Sequence, residues 1–345
     1  MNHNTPLSPR PLHHLPHGLR RVMTVAQLRS HGVPAAETTD RCRPGGPWQQ
    51  LLPGVVLLHP GPPVSDERLH AVLLYAARER GTGVPAQPGA DEAPAPAYAD
   101  AMITGLAALT LHGFASAPPL PSLDTIDVLV PRLRRLRSTG CARIVRAPSL
   151  PAPEQVTGLP VAPVPRALAD AVAELEDAGT VHRLLTEAVR GGHCEPTAVV
   201  RELTQARLLS RPHVVDAVDS LLAEGRAIAE DRLYRMVREY GLPDPLWNVE
   251  LRLPGGPCLG GLDAYWPEQA VAVELDVRAP RPQDDERWSE YVRKREHLER
   301  LGITVVHITP RKLRDAMEQQ AAVVRTALMA SDDREPAAYV VVLPR

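Results

Sequence analysis

The sequence predicts a multi-domain α/β chain, and three observations support that fold class. The chain has 345 residues, too many for one typical domain. A stretch rich in proline and alanine has the composition of a linker. In the last third, helical and strand-like hydrophobic periods alternate. The predicted parts are a disordered tail (1–18), a winged helix-turn-helix (19–80), a linker (81–97), a middle α+β region (98–220), a C-terminal α/β domain with a mixed central sheet (221–330) and a tail (331–345) in which AAYVVVLPR could add an edge strand.

Composition excludes several classes of protein. Aromatic residues make up 3% of the chain and Phe114 is the only phenylalanine, which argues against a single-strand binder that stacks bases on aromatic rings. The net charge is −2, so any affinity for nucleic acid must come from local patches. No apolar stretch is long enough for a signal peptide core or a membrane span, and the four cysteines form no CxxC pair. We therefore expect a cytoplasmic protein with free thiols and no membrane partner.

The N-terminal unit has the local signals of two short helices and a hairpin. Thr24 and Gln27 have capping-box spacing, and Gly32 suits the position just after a helix. Pro34 is well placed to open a second helix, and two short strands flank Pro53-Gly54. Residues 1–60 carry a local charge of +4. The pattern predicts a winged helix on double-stranded DNA; the alternative is a small helical packing module with solvated arginines.

The residues expected to contact DNA form two groups. One group would face the phosphates and the other would face the groove. They are Arg20 and Arg21 for the phosphates, and Thr38, Thr39, Arg41 and Arg43 for the groove.

The segment VAQLRSHGV, a short second helix and WQQLLPGVVLL together resemble the N-terminal domain of abortive-infection (AbiEi-type) antitoxins of type IV toxin–antitoxin systems. The resemblance covers about 40 residues. It implies a DNA-binding winged helix, often autoregulatory, and a cognate toxin as a possible partner.

The middle region mixes apolar helical and strand-like segments. MITGLAALTLHGF predicts an apolar helix ending near Gly113, IDVLVP a buried strand, ARIVRAPSLP a second strand and PRALADAVAELED an amphipathic helix. Residues 131–147 carry six arginines and no acid. This basic run is either a phosphate-binding patch or a solvated hairpin loop between the two strands.

The C-terminal region carries the most specific pattern. A helix through AIAEDRLYRMVREYGLP is followed by NVELRL, CLGGLDAYWP and AVAVELDV, which alternate like strands of a meander, then by a helix, the buried strand ITVVHITP and one closing helix, RKLRDAMEQQAAVVRTAL. On AVAVELDV, Glu274 and Asp276 share one face. A hairpin would bring Asp263 close to both.

Three carboxylates on adjacent strands repel one another and favour a bound cation. Oxygen ligands suit Mg²⁺ or Mn²⁺, so Asp263, Glu274 and Asp276 are the candidate metal ligands. Such an ion could activate water and stabilise charge on a scissile phosphate. The alternative is a solvated sheet face whose acids pair with arginines.

The segments AEDRLYRMVREYGLP, GLDAYWPEQAVAVELD and GITVVHITP resemble the restriction-endonuclease-like PD-(D/E)XK fold, closest to its very-short-patch-repair-like branch. The resemblance covers about 100 residues. It implies that Asp263 bridges a metal, that Glu274 is the second ligand, that Asp276 stands where the motif lysine usually stands, and that Glu230 matches the first-helix acid. These four residues are the candidate catalytic residues.

The sequence departs from that pattern after the third strand. VRAPRPQ follows Asp276 with no histidine before His297, and Lys294 and Lys312 are the only lysines in the chain. Arg278 or Arg281 could hold a phosphate, but arginine is a poor base because it stays protonated. Two other interpretations stay open: a non-enzymatic antitoxin-like regulator with a decayed nuclease fold, and a scaffold that binds another protein.

Overall fold

The computed structural model describes residues 21–77, 98–276, 285–331 and 340–345. Within these ranges it describes the side chains of all residues except 285–292 and 331. Within these ranges the chain is a mixed α/β protein with three sheets, and it divides into two compact units, 1–176 and 177–345. The predicted tail at 1–18, Arg20, the linker at 81–97, Arg278 and Arg281 lie outside the described residues.

Unit 1 begins with two short helices and a three-stranded sheet of order β1-β3-β2. The elements are β1 (Val22–Thr24), α1 (Val25–Ser30), α2 (Ala35–Arg41), β2 (Gln49–Leu52), β3 (Val55–Leu57) and α3 (Ser65–Ala77). The predicted capping box is confirmed: the Gln27 amide donates to Thr24 Oγ1 at 3.1 Å, and the Thr24 amide donates to Gln27 Oε1 at 2.8 Å. Gly32 follows the helix at φ +83°, a conformation that favours glycine. The core of this part is formed by Met23, Leu28, Val33, Trp48 and Val56.

The rest of unit 1 is a mixed five-stranded sheet of order β6-β5-β4-β8-β7 with two helices. The elements are β4 (Met102–Thr104), α4 (Gly105–Leu111), β5 (Ile126–Pro131), β6 (Ala142–Ala147), β7 (Glu154–Val156), β8 (Leu159–Val161) and α5 (Val164–Glu174).

Two predictions for this region were wrong. The segment from Met102 is not helical from its start, because its first three residues pair with β5 and β8 and Gly105 turns the chain at φ +63°. The hairpin alternative for residues 131–147 also fails, because β5 and β6 are parallel and the connection between them must cross over.

Three helices open unit 2: α6 (Ala178–Arg190), α7 (Pro196–Gln205) and α8 (Pro212–Glu239). The predicted helix at 227–240 is the C-terminal half of the 28-residue helix α8. The predicted boundary between 220 and 221 therefore falls inside a continuous helix, and the chain divides between 176 and 177 instead.

The remaining elements of unit 2 form a mixed sheet of order β12-β11-β10-β9-β13 with helices on both faces. They are β9 (Leu246–Arg252), β10 (Cys258–Trp266), β11 (Val271–Leu275), α9 (Asp285–Arg300), β12 (Thr304–Ile308), α10 (Pro310–Asp315), α11 (Met317–Ser331) and β13 (Val341–Pro344). Strands β9, β10 and β11 form the predicted antiparallel meander, and β12 runs parallel to β11. The C-terminal segment adds the edge strand β13, which pairs with β9.

The closing helix of the prediction is two helices. Ala316, at φ −150° and ψ 45°, leaves the helical region between α10 and α11. Strand β12 is mostly half-buried, although the apolar run predicted a buried strand.

The two faces of this sheet have separate apolar cores. Leu233 of α8, Leu313 of α10 and Val324 of α11 pack against Val273 of β11 on one face. Leu298 of α9 packs against Ala272 on the other. Glu274, between Val273 and Leu275, therefore points toward α9. None of the helices in the described ranges combines the length and apolarity that crossing a lipid bilayer requires.

Candidate functional site

Asp263 lies where two strands of the unit 2 sheet part. Strand β10 pairs with β11 from Trp266 opposite Val271 to Ala264 opposite Val273. Beyond that pair, the amide of Leu275 donates to Asp263 Oδ2 at 2.6 Å. The carboxylate thus satisfies a backbone donor that the ladder leaves unpaired, and its side chain is only 5% exposed.

Arg226 of α8 joins Asp263 to Glu230. Its Nη2 donates to Asp263 Oδ1, and its Nε lies 2.7 Å from Glu230 Oε1, one helical turn further along. Arg226 and Glu230 are each about one third exposed on their side chains, at 34% and 27%. The cation therefore offsets charge on Asp263, a member of the predicted carboxylate cluster, and on Glu230, the predicted first-helix acid.

Glu274 is paired with Lys294 of α9. Lys294 Nζ donates to Glu274 Oε1 at 2.9 Å and to the carbonyl oxygen of Gly261 at 2.8 Å. Gly260 has φ +118°, and a Cβ there would lie 2.7 Å from Lys294 Cε. The glycine therefore makes room for the lysine chain at the start of β10, which holds the ammonium group beside a buried carboxylate.

His307 reaches Glu274 from the neighbouring strand. The two residues are partners in the parallel β11–β12 register, and His307 Nδ1 lies 3.8 Å from Glu274 Oε2. Burial lowers the pKa of His307, and the nearby cations Arg295 and Lys294 add to the effect against the opposing influence of Glu274. The imidazole is therefore held neutral at neutral pH, when its nitrogens can accept as well as donate.

Asp276 behaves differently from the two strand acids. It is the first residue after β11 and is exposed, and its amide donates to the carbonyl oxygen of Ile308 at 3.0 Å. Among the described residues, none pairs with its carboxylate as Arg226 pairs with Asp263 or as Lys294 pairs with Glu274. Across the described ranges, no group of three or more acid, histidine or cysteine side chains is arranged to hold a metal ion. Asp263 and Glu274 are thus the two buried carboxylates that the structure brings to adjacent strands.

The predicted DNA-contacting residues of unit 1 are not all available. Thr38 is buried, with 4% exposure, and its hydroxyl donates to the Pro34 carbonyl, so the prediction that it faces a DNA groove was wrong. The physical reason is the register of α2, which turns this position into the core next to α1.

The other predicted contacts differ in how far they are engaged. Arg21 and Thr39 are exposed, although the Thr39 hydroxyl donates to the Ala35 carbonyl. Arg41 pairs with Glu37 and lies over the Trp48 ring, 4.6 Å from its centroid. Arg43 pairs with Asp40 at 2.9 Å and keeps 73% of its side chain exposed.

Sequence reasoning missed three members of the unit 2 cluster, namely Arg226, His307 and Lys294. Arg226 precedes Glu230 by four residues, the spacing of a helical ion pair, and that spacing was the available signal. His307 lies on the predicted strand ITVVHITP, and the parallel register sets it opposite Glu274. Lys294 is one of the two lysines in the sequence, and nothing in its spacing predicts the contact with Glu274 across 20 residues.

Neither a protein-family model nor a curated protein matches the chain. The chemistry available to the cluster therefore follows from its own groups. Two buried carboxylates can bind a cation, an ammonium group can contact an anion, and a neutral imidazole can accept a proton.

Proposed function

We propose that unit 2 hydrolyses DNA phosphodiester bonds with Mg²⁺ or Mn²⁺, in a defence or repair context, and that unit 1 binds double-stranded DNA. One observation carries the proposal. Lys294 supplies an ammonium group to Glu274, beside the strand on which Asp263 lies, and so offers from α9 the lysine that the strand motif lacks. Two carboxylates on adjoining strands with a lysine beside them are the residue types that the resemblance to PD-(D/E)XK nucleases requires.

The residues fit a hard divalent cation. Asp263 and Glu274 are carboxylates on neighbouring strands, with side chains 5% and 10% exposed, and carboxylate oxygen is the preferred ligand of Mg²⁺. These two would hold the ion, with exposed Asp276 as a further ligand. The ion would supply an acidified water and charge stabilisation at the phosphate.

The chain's own groups divide the remaining tasks. Lys294 Nζ lies at a buried carboxylate and can contact a phosphate oxygen while it orients Glu274. His307, whose Nδ1 lies 3.8 Å from Glu274 Oε2, is placed to accept a proton from water there. Arg226 holds Asp263 and Glu230 in place and could release Asp263 when another cation binds.

A second function is favoured by that same arginine. Arg226 already binds Oδ1 of Asp263, so a cation from the chain occupies one of the two oxygens that a metal would use. This arrangement suits a non-enzymatic DNA-binding regulator, antitoxin-like and paired with a toxin, whose nuclease fold no longer cuts.

Plasmid nicking distinguishes the two functions. The full chain is incubated with supercoiled DNA and Mg²⁺ or Mn²⁺, alongside Asp263→Asn, Glu274→Gln and the control Glu318→Gln. Glu318 is an exposed acid of α11 without an ion pair among the described residues. The nuclease proposal expects metal-dependent nicking that both site variants reduce by about 10²-fold or more and the control leaves unchanged.

Retention of duplex DNA without nicking in either metal would favour the regulator. Nicking that persists in both site variants would contradict the proposed site.

A further inference from the structure

Four arginines occur in the crossover connection between β5 and β6, residues 132–141, which we name the arginine loop. They are Arg132, Arg134, Arg135 and Arg137. The loop lies in unit 1, and neighbouring Leu133 is 91% exposed, so the loop reaches the surface.

Two arginines hold the loop through hydrogen bonds to backbone carbonyls. Arg134 Nη2 donates to the Ala76 carbonyl at the end of α3 at 2.8 Å. Arg146 of β6 donates from Nε to the Arg134 carbonyl at 3.2 Å and from Nη2 to the Leu136 carbonyl. Leu136 itself is buried at 8% exposure. Backbone carbonyls of the loop are thereby fixed, and its shape does not depend on a ligand.

Tyr75 adds a further anchor from α3. Its hydroxyl donates to the Arg137 carbonyl at 2.7 Å, and the Ile144 amide donates to the Ser138 hydroxyl at 3.0 Å. Because the backbone is held at several points, binding a ligand costs little loop ordering.

The remaining three guanidinium groups face outward. Arg132, Arg135 and Arg137 are exposed, and none of them forms an ion pair with an acid in the described ranges. Arg143, by contrast, is engaged by Asp127 and Glu174. The outward arginines are therefore a positive surface that the described part of the fold does not neutralise.

This surface adjoins the β2–β3 hairpin of unit 1. A Cβ on Gly140 would lie 3.1 Å from Leu52 Cδ2, so the end of the arginine loop packs against the end of β2. The Pro53-Gly54 turn follows directly. The loop and the hairpin thus belong to one packed surface of unit 1.

We propose that the arginine loop is a binding site for the phosphate backbone of double-stranded DNA, beside the β2–β3 hairpin. Guanidinium groups bind phosphate through paired donors. Residues 131–147 contain no aromatic side chain to stack an unpaired base, which favours a duplex backbone over a single strand. The site deepens the proposed function, because it rests on DNA being the ligand of unit 1, but it requires no cleavage.

The test is duplex binding without divalent ions, measured by fluorescence anisotropy across a salt titration. The variant is Arg132→Gln, Arg135→Gln and Arg137→Gln together. The control is Arg201→Gln, Arg207→Gln and Arg238→Gln, which removes the same charge at exposed positions of unit 2. Circular dichroism confirms that both triple variants stay folded.

We expect the loop variant to lower duplex affinity by about 10²-fold at about 0.1 M salt and to reduce the slope of log affinity against log salt by about 2.7, since each phosphate contact contributes about 0.9. The control should keep the slope of the unmodified chain. Equal slopes for the two variants would overturn the site.

In a competition experiment, polyglutamate is added at equal charge concentration. Displacement of the duplex would indicate that the arginine loop binds an acidic protein, and it would contradict the proposed DNA site. Failure of the nuclease proposal is separate, because it appears only when metal is added and leaves the binding slope unaffected.

Discussion

Asp127 and Asp170 of unit 1 contact their arginines through both carboxylate oxygens, whereas Asp263 of unit 2 contacts Arg226, and Glu274 contacts Lys294, through one. We call the first kind of pair closed and the second kind open. Arg143 contacts both oxygens of Asp127, and Arg166 reaches both oxygens of Asp170 at 2.7 and 3.0 Å. Thr104 adds a hydroxyl donor to Asp170 at 2.6 Å. Both of these arginine pairs use the full fork of the guanidinium, which is the arrangement of a structural ion pair.

In unit 2 the contact of Asp263 with Arg226 and that of Glu274 with Lys294 each use one carboxylate oxygen. Asp263 accepts a hydrogen bond from Arg226 at Oδ1 and one from the Leu275 amide at Oδ2. Glu274 gives Oε1 to Lys294, and Oε2 lies 3.8 Å from His307. Residue types alone therefore do not separate a structural ion pair from a candidate site. The two kinds of pair differ in how many carboxylate oxygens the cation contacts and in whether the neighbouring strands separate at that point.

The largest expected effect is on DNA cleavage, when the open pair of Glu274 and Lys294 is broken. Lys294→Met should reduce nicking by about 10²-fold or more, because it removes an ammonium group from the buried carboxylate of Glu274. The matched control is Lys312→Met, which removes the chain's other lysine at an exposed position of α10. Equal nicking by the two variants would separate Lys294 from the chemistry.

A closed pair should instead matter for stability. Arg143→Ala should lower the free energy of unfolding of unit 1 by about 3 kcal/mol, because Asp127 is left buried without its cation. Burial already raises the pKa of Asp127 even with Arg143 bonded to it. Urea denaturation measures the loss, with exposed Arg135→Ala as the control at about 0.5 kcal/mol or less. A small loss for both would mean that the closed pair is not structural.

Arg226→Ala tests whether a metal ion can replace Arg226 at the carboxylate of Asp263. The variant should cost about 2 kcal/mol, less than Arg143→Ala, because Asp263 keeps the Leu275 amide and Arg226 is partly exposed. It should also bind Mn²⁺ more tightly than the unmodified chain, since Oδ1 of Asp263 is freed. Calorimetric titration measures both metal affinities, and weaker binding in the variant would contradict exchange.

The smallest expected effect is the loss of stability when an exposed carboxylate, Asp177, is replaced. It gives a baseline against which the losses at the closed and open buried pairs are compared. Asp177 caps α6 by accepting from the Thr180 amide at 2.7 Å, and hydrogen bonds from Thr180 lower its pKa. A lowered pKa in the folded state means that the carboxylate stabilises above the ordinary value of 3.8 and stops doing so as the pH falls through the folded value. Asp177→Ala should therefore reduce the urea midpoint at neutral pH, and the difference should shrink below pH 3.8. A difference independent of pH would rule out the charged cap.

Local signals in the sequence predicted much of this architecture. The capping box at Thr24, the turn at Pro53-Gly54 and the alternation along β11 are each written within a few residues, and the structure has each of them. The short strand at Met102 was missed because its pairing partners, β5 and β8, lie elsewhere in the chain.

The candidate site was predicted in part for the same reason. The spacing of Asp263 and Glu274 indicated adjacent strands, which the antiparallel register bears out. Their cations come from helices 37 and 20 residues away, and no local period encodes those contacts. The acids could therefore be predicted and their neutralisation could not.

Manganese binding measured by electron paramagnetic resonance reports on the carboxylates of Asp263 and Glu274 without requiring a DNA substrate. The account predicts that the full chain binds Mn²⁺ and that Glu274→Gln and Asp263→Asn each abolish that binding, while Glu318→Gln does not. Manganese binding that is absent from the full chain, or unchanged in both site variants, would contradict it.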